Sequence, residues 1–232
     1  PLILRGNKDI DNFYPASIKN STLKSDLINL ISKSHSKDEA EIFSKLSKKS
    51  TKASLVPRHP VRLAEYAGKE MSKENGPVAS VIRVGTFDTH ANQASDDGND
   101  RNDSHAKQLE VLDDVIAGYR EGLGDAWDRS IILTLTEFGR TVAVNGTMGT
   151  DHGYGSVGLL AGGTISKSRI ITQWPGLSNK EQFDGRDLMA TLDYRSVCAA
   201  CIERSLGLEH DRIASEIFFT PKLPRVYDYI FS

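Results

Sequence analysis

The sequence predicts an α/β protein with a largely parallel sheet, and three observations carry that reading. Residues 78–84, 131–136 and 157–161 are short apolar, β-branched runs, of strand length rather than helix length. Helical patterns at residues 105–122 and 193–206 alternate with and follow them, as expected of βαβ units. The first two runs release polar loops that each carry an Asp and a His, and open α/β sheets place their ligand sites at the carboxyl ends of strands.

In chain order, residues 1–20 hold Gly6, Pro15 and several Asn and Asp, which predicts an irregular connection with at most a short strand at Leu2, Ile3 and Leu4. Leu23, Leu27, Leu30 and Ile31 predict an amphipathic helix over 23–32, and Ile42, Phe43 and Leu46 another over 36–48. The lysines between Lys33 and Lys49 are interspersed with Asp38, Glu39 and Glu41, as on an ordinary solvated helix face. Pro57 and Pro60 break the chain, and residues 61–72 predict a third helix closed by Asn75, Gly76 and Pro77. Residues 1–77 are thus a mainly helical segment, and residues 78–232 the α/β portion of the same domain. Within the latter, Gly162 and Gly163 turn the run 157–161, Arg169 to Ile171 predict a short edge, and Trp174-Pro175-Gly176 marks a loop. Asp193 is placed to cap the helix 193–206 and Gly207 to stop it. The tail after Pro221 predicts an irregular packed strap.

Charge excludes some partners. With 29 Lys and Arg against 31 Asp and Glu, the formal net charge is -2, which gives no field for a phosphate backbone, so nucleic acid is not an expected partner. No apolar run approaches the roughly 20 residues that span a bilayer. Cys198 and Cys201 lie in a helical pattern, SVCAACIERSLG, where small apolar side chains fill one face; no second Cys or His pair follows to make a zinc or redox motif.

The candidate site is drawn from the two polar loops. Divalent cations that activate water or polarise an ester oxygen take carboxylate and imidazole ligands from separate elements. Asp88 and His90 stand at i and i+2 after the first run, so an extended segment points both the same way. Asp151 and His152 are adjacent: they reach one ion from a turn, or each faces a different ion of a pair about 4 Å apart. A helix cap or a satisfied polar loop is the plainer reading of either pair alone. Glu137, first off the second run, is a ligand, a group that orients a ligand histidine, or an ion-pair partner of Arg140. Arg140 offers a planar fork that matches phosphate or sulfate. His35, His59 and His210 have no companion ligands in the sequence, and His105 is a remote candidate.

The run FDTHANQ, the stretch LGDAWDRSIILTLTEFGRTVAVNGTMGTDHGYGSVGLLAGG, and then WPGL, DGRDLMATLDYR and LGL…IF resemble the bacterial family called domain of unknown function 1501, of the alkaline-phosphatase and sulfatase superfamily. The resemblance implies a three-layer α/β/α fold and a two-ion site. Zinc is the usual metal, with manganese or calcium as alternatives, and Asp88 and His90 would serve one ion and Asp151 and His152 the other, with Glu137 less certain. It implies hydrolysis of small-molecule phosphate or sulfate esters, with Arg140 as oxyanion clamp, or else a non-catalytic exported scaffold with structural metal. It also implies periplasmic export by a twin-arginine signal. Tyr154 stands where family members often carry a further histidine. The family's first strand, with its ligand aspartate, and its Ser-His-Phe nucleophile segment have no counterpart here, so the expectation is an inactive carboxy-terminal portion whose nucleophile lies outside this chain.

Overall fold

The computed structural model describes residues 59–85, 87–93 and 104–232. The short strand expected near Leu2 to Leu4 and the two helices expected over 23–32 and 36–48 lie outside the described residues. The chain divides into two compact units, residues 1–83 with 114–127, and residues 84–113 with 128–232.

In the first unit, helix α1 (Pro60–Met71) begins with proline in its first turn, where a missing N–H costs no helical bond. Its buried face is Ala64, Ala67 and Gly68. Helix α2 (Ser104–Leu123) runs through the division between units, and its later part buries Val115, Gly118, Tyr119, Gly122 and Leu123. The two faces meet backbone to backbone. A Cβ on Gly68 would lie 2.8 Å from the Tyr119 carbonyl oxygen and the Leu123 nitrogen, closer than carbon can approach, so glycine is required there. Residues 78–84 differ from expectation. Val81 forms a bridge, but the run has no named strand, and Val78 and Val81 are exposed. A polar anchor holds it instead: Ser80 Oγ is 2.8 Å from Tyr119 OH and 3.1 Å from Met71 Sδ.

The second unit opens with residues 84–113 and continues from Asp128. A 3₁₀ turn, Gly124–Arg129, leads toward it from α2. Strand β1 (Ile132–Leu133) pairs antiparallel with β4 (Leu160–Ala161), and β2 (Gly139–Arg140) pairs antiparallel with β3 (His152–Gly153). These two-stranded sheets are the sheets among the described residues, and both are antiparallel where the sequence leads one to expect parallel pairing. The runs 131–136 and 157–161 are partners as well as strands, and they are shorter than expected. Thr134 explains part of this, because Leu159 N–H donates to the Thr134 hydroxyl at 2.8 Å rather than to a backbone carbonyl, so a side chain interrupts the ladder. The edge expected at Arg169 to Ile171 is unpaired, with Ile170 fully in solvent.

Helix α3 (Tyr194–Leu206) starts and stops where the sequence says. Asp193 accepts from Arg195 N–H at 2.9 Å, and Gly207 closes the helix in the left-handed region at φ 64°. A turn of helix α4 (His210–Arg212) passes into a π-helical turn, Ile213–Ile217, and the buried His210 ring donates from Nε2 to the Leu223 carbonyl at 2.9 Å. The tail is more regular than a strap. Helix α5 (Tyr227–Phe231) carries Ile230 into a core with Ala200 and Val226, packed by Leu160, Ile165, Val197 and Phe231.

Cys198 and Cys201 are free thiols, half-buried on α3. Burial pushes the Cys201 thiol up to about 12 and raises Cys198 in the same direction. The folded chain therefore holds the Cys201 proton more tightly than the unfolded chain does. That stabilising term is complete below the unfolded thiol value of about 8.5 and is lost progressively as pH rises toward 12. Urea midpoints measured between pH 7.5 and pH 10.5 are expected to fall less steeply in Cys201→Ala than in the wild type; equal slopes would refute the assignment.

Candidate metal centre

The site lies in the second unit and is built on the Asp88 carboxylate. His152 Nε2 donates to Asp88 Oδ1 at 2.8 Å, Arg140 Nη2 donates to the same oxygen at 3.0 Å, and His90 Nδ1 stands 3.2 Å from it. The hydrogen bond from His152 is the main reason the Asp88 carboxyl sits below its usual range; the charges of His90, His152 and Arg140 act in the same direction, and desolvation opposes them. Ionised Asp88 therefore favours the fold above the ordinary carboxylate value of about 3.9, and that contribution disappears as pH falls through the lowered one.

Short-range structure explains the convergence. Asp88 and His90 leave residues 78–84 on one segment, at i and i+2, and both turn to the same place. The β2–β3 register sets Arg140 opposite His152, so both side chains rise on one face of that pair and meet Asp88. Phe138 stacks flat on the His152 ring, centroids 3.8 Å apart and planes 13° apart, and fixes the imidazole plane; the His90 and His152 rings lie 4.8 Å apart.

A second loop positions His90 through its backbone. The His90 carbonyl oxygen lies 2.9 Å from Asn145 Nδ2 and 2.7 Å from Thr147 Oγ1. Asn145 Oδ1 accepts from the backbone N–H groups of Thr147 and Gly149, both at 3.0 Å, so one amide side chain folds its own loop and grips the facing one. Gln93 Oε1 accepts from the Thr89 hydroxyl at 3.0 Å and the Thr150 hydroxyl at 2.8 Å, a further tie between the same two segments. Gly149 lies against the His90 backbone so closely that an added Cβ would fall onto the His90 carbonyl carbon.

Asp88, His90 and His152 are the group of possible ligands that the structure gathers among the described residues, with one donor atom from each and all within 4.8 Å of one another. The chemistry fits a cation. Bond lengths of about 2.0–2.1 Å in a tetrahedral site put ligand atoms roughly 3.3 Å apart; here the two nitrogens stand 2.8 and 3.2 Å from Asp88 Oδ1, and the whole set is bounded at 4.8 Å. The three side chains are about half exposed, at 54%, 47% and 48%, and no fourth ligand joins them among the described residues.

The other expected residues stand elsewhere. Asp151 accepts from Asn145 Nδ2 at 3.0 Å and is outside the three-residue cluster. Glu137 is exposed, and neither a cluster position nor a pairing with Arg140 is found for it. Arg140 is not a free fork. Nη1 donates to the Thr150 carbonyl at 2.8 Å, and Nη2 donates to the Phe87 carbonyl at 2.7 Å as well as to Asp88, so the guanidinium ties three segments together. Phe138 and Asn145 escaped the sequence reading; the Asn145-Gly146 turn signal was available for the second, and nothing short of the fold announces the first.

A carboxylate and two imidazoles, about half exposed to solvent, make a candidate site for a divalent cation. The chain belongs to the DUF1501 family, described as proteins of unknown function, whose model matches residues 39–212. No curated protein and no solved structure matches it.

The contact at Gly149 gives a test with its own control. Gly149→Ala must push the His90 backbone aside and is expected to cost about 1–3 kcal/mol in urea unfolding. Gly146→Ala, on the same loop but with nothing within 4 Å of the new Cβ, is expected to cost a few tenths of that. Equal costs would mean the loop does not buttress His90.

Proposed function

We propose that Asp88, His90 and His152 hold a single divalent cation, and that the protein is a metal-dependent hydrolase of phosphate or sulfate esters. The observation that carries the metal reading is the convergence of three ligand side chains, a carboxylate and two imidazoles, from two separate segments. Zinc fits the donors best, with manganese next: two imidazoles suit a transition metal, whereas calcium collects oxygen ligands. The two-ion arrangement implied by the resemblance is replaced in this proposal by one ion, because Asp151 is engaged by Asn145. The three-layer α/β/α architecture of the alkaline-phosphatase and sulfatase superfamily remains the proposed setting.

A bound cation would supply charge that polarises an ester oxygen and stabilises the attacking or leaving oxygen. The chain's own residues do the rest of what can be derived. Phe138 holds the His152 ring, Asn145 and Thr147 hold the His90 backbone, and Arg140 orients Asp88, whose carboxyl is lowered chiefly by the hydrogen bond from His152. The nearby hydroxyls of Thr89, Thr147 and Thr150 are each engaged by protein groups, so none is assigned as nucleophile. A closed structural site would have a fourth protein ligand and little exposure; the half-exposed triad speaks for a site that takes a ligand.

Elemental analysis of protein purified without chelator is expected to find about one zinc or manganese per chain, lost in His90→Ala and His152→Ala and retained in Asp151→Ala. A well-folded sample without metal overturns the reading, and loss in Asp151→Ala restores the two-ion version. Turnover of aryl phosphate or aryl sulfate by this chain is expected to be weak, since it has no assigned nucleophile; robust turnover that survives His152→Ala would refute a metal-dependent mechanism.

A further inference from the structure

Arg140 commits both terminal nitrogens to Asp88 and two carbonyls and its side chain is only 23% exposed, so a more exposed guanidinium is better placed to read an anion. Arg186 is the other guanidinium bonded to a residue of the cluster, through Nη2 and the His152 carbonyl oxygen at 3.3 Å. A tight turn at Asp184 and Gly185, with φ 53° and 64°, delivers it, and its own carbonyl accepts from Val142 N–H at 3.0 Å, which anchors its backbone beside β2. Asp187 steadies the guanidinium from behind. Nε stands 2.7 Å from Asp187 Oδ1 as an ionic contact, and Nη2 donates to Oδ2 at 3.2 Å. The pair is lopsided in exposure, since the Asp187 side chain is 9% exposed and that of Arg186 is 62% exposed. The carboxylate is hidden and the positive edge faces water. Nη1 has no partner among the described residues, so its two N–H groups remain available.

We propose that Arg186 is the anion-recognising residue beside the Asp88, His90 and His152 cluster, and that the ligand it reads carries a tetrahedral oxyanion, phosphate or sulfate. The proposal rests on the metal reading above for the purpose of the site, but not for the anchoring of Arg186, which needs no ion. An arginine is suited to this task because it stays charged at every working pH and offers fixed donors. A guanidinium already braced by a buried carboxylate also loses less freedom when it binds.

The test is calorimetric titration of inorganic phosphate, and separately of sulfate, into zinc-loaded and zinc-free protein, once zinc affinity has been measured for each variant. The variants are Arg186→Lys and the double change Arg186→Gln with Asp187→Asn, which removes both charges together and leaves no buried carboxylate unpaired. Zinc affinity is expected to be unchanged in both. Phosphate affinity is expected to fall about tenfold in the double variant, the scale of losing hydrogen bonds to a charged group, and to recover in part with lysine. Zinc binding combined with phosphate affinity indifferent to both variants overturns the role of Arg186 and spares the metal centre. Phosphate binding that depends on Arg186 in a protein that takes no zinc does the reverse. No binding of either oxyanion in any form overturns the assignment, and the tighter of the two names the ester class.

Discussion

One carboxylate oxygen organises the candidate site. Asp88 Oδ1 is met by His152, Arg140 and His90 within 3.2 Å, and each of the three reaches it from a backbone that other contacts have fixed. His152 and Arg140 arrive opposite one another across β2 and β3. His90 arrives on a segment held at its carbonyl by Asn145 and Thr147. A carboxylate so supplied with donors holds its proton less tightly than an ordinary one, and an ionised oxygen beside two imidazole nitrogens is the donor set on which the metal proposal rests. The same geometry gives the two arginines different settings: Arg140 ties Asp88 to two backbone carbonyls, and Arg186 stands more exposed against Asp187.

The antiparallel pairing of β2 and β3 decides which half of the Asp151-His152 pair enters the cluster. On extended backbone successive side chains face opposite ways, so selecting His152 sends Asp151 off to its amide partner. Asp88 and His90 at i and i+2 are legible in the sequence as co-ligands, whereas for Asp151 and His152 the sequence leaves open one ion reached from a turn or a different ion for each. What it lacked was the pairing partner that chooses between them. The ties of Arg140 are hidden from the sequence for a different reason. Its three acceptors, the Phe87 and Thr150 carbonyls and Asp88, lie on segments 10 to 53 residues away, and no local pattern announces them.

Elements set by local chemistry were readable to within a residue or two. The helix over 61–72 is found at Pro60–Met71, that over 105–122 at Ser104–Leu123, and the Asp193 cap and Gly207 stop lie where proposed. Strands fared worse because their hydrogen bonds belong to distant partners. Residues 78–84 have the composition of a strand, yet their fixed point is a serine hydroxyl on a tyrosine. The Thr134 side chain takes a bond that the ladder would otherwise carry. Neither competition between side chain and backbone leaves a trace in hydrophobic periodicity.

Asn145 is followed by Gly146, the neighbour that hinders least when a backbone nitrogen attacks a side-chain amide and releases ammonia. Hydrogen bonds hold both ends of that amide and so restrict the rotation that such an attack requires. Conversion to aspartate would turn a donor toward the His90 carbonyl and the Asp151 carboxylate into an oxygen that repels both. Ageing at a single amide would thus be felt at the centre, and intact mass and metal content followed together in stored protein would register it.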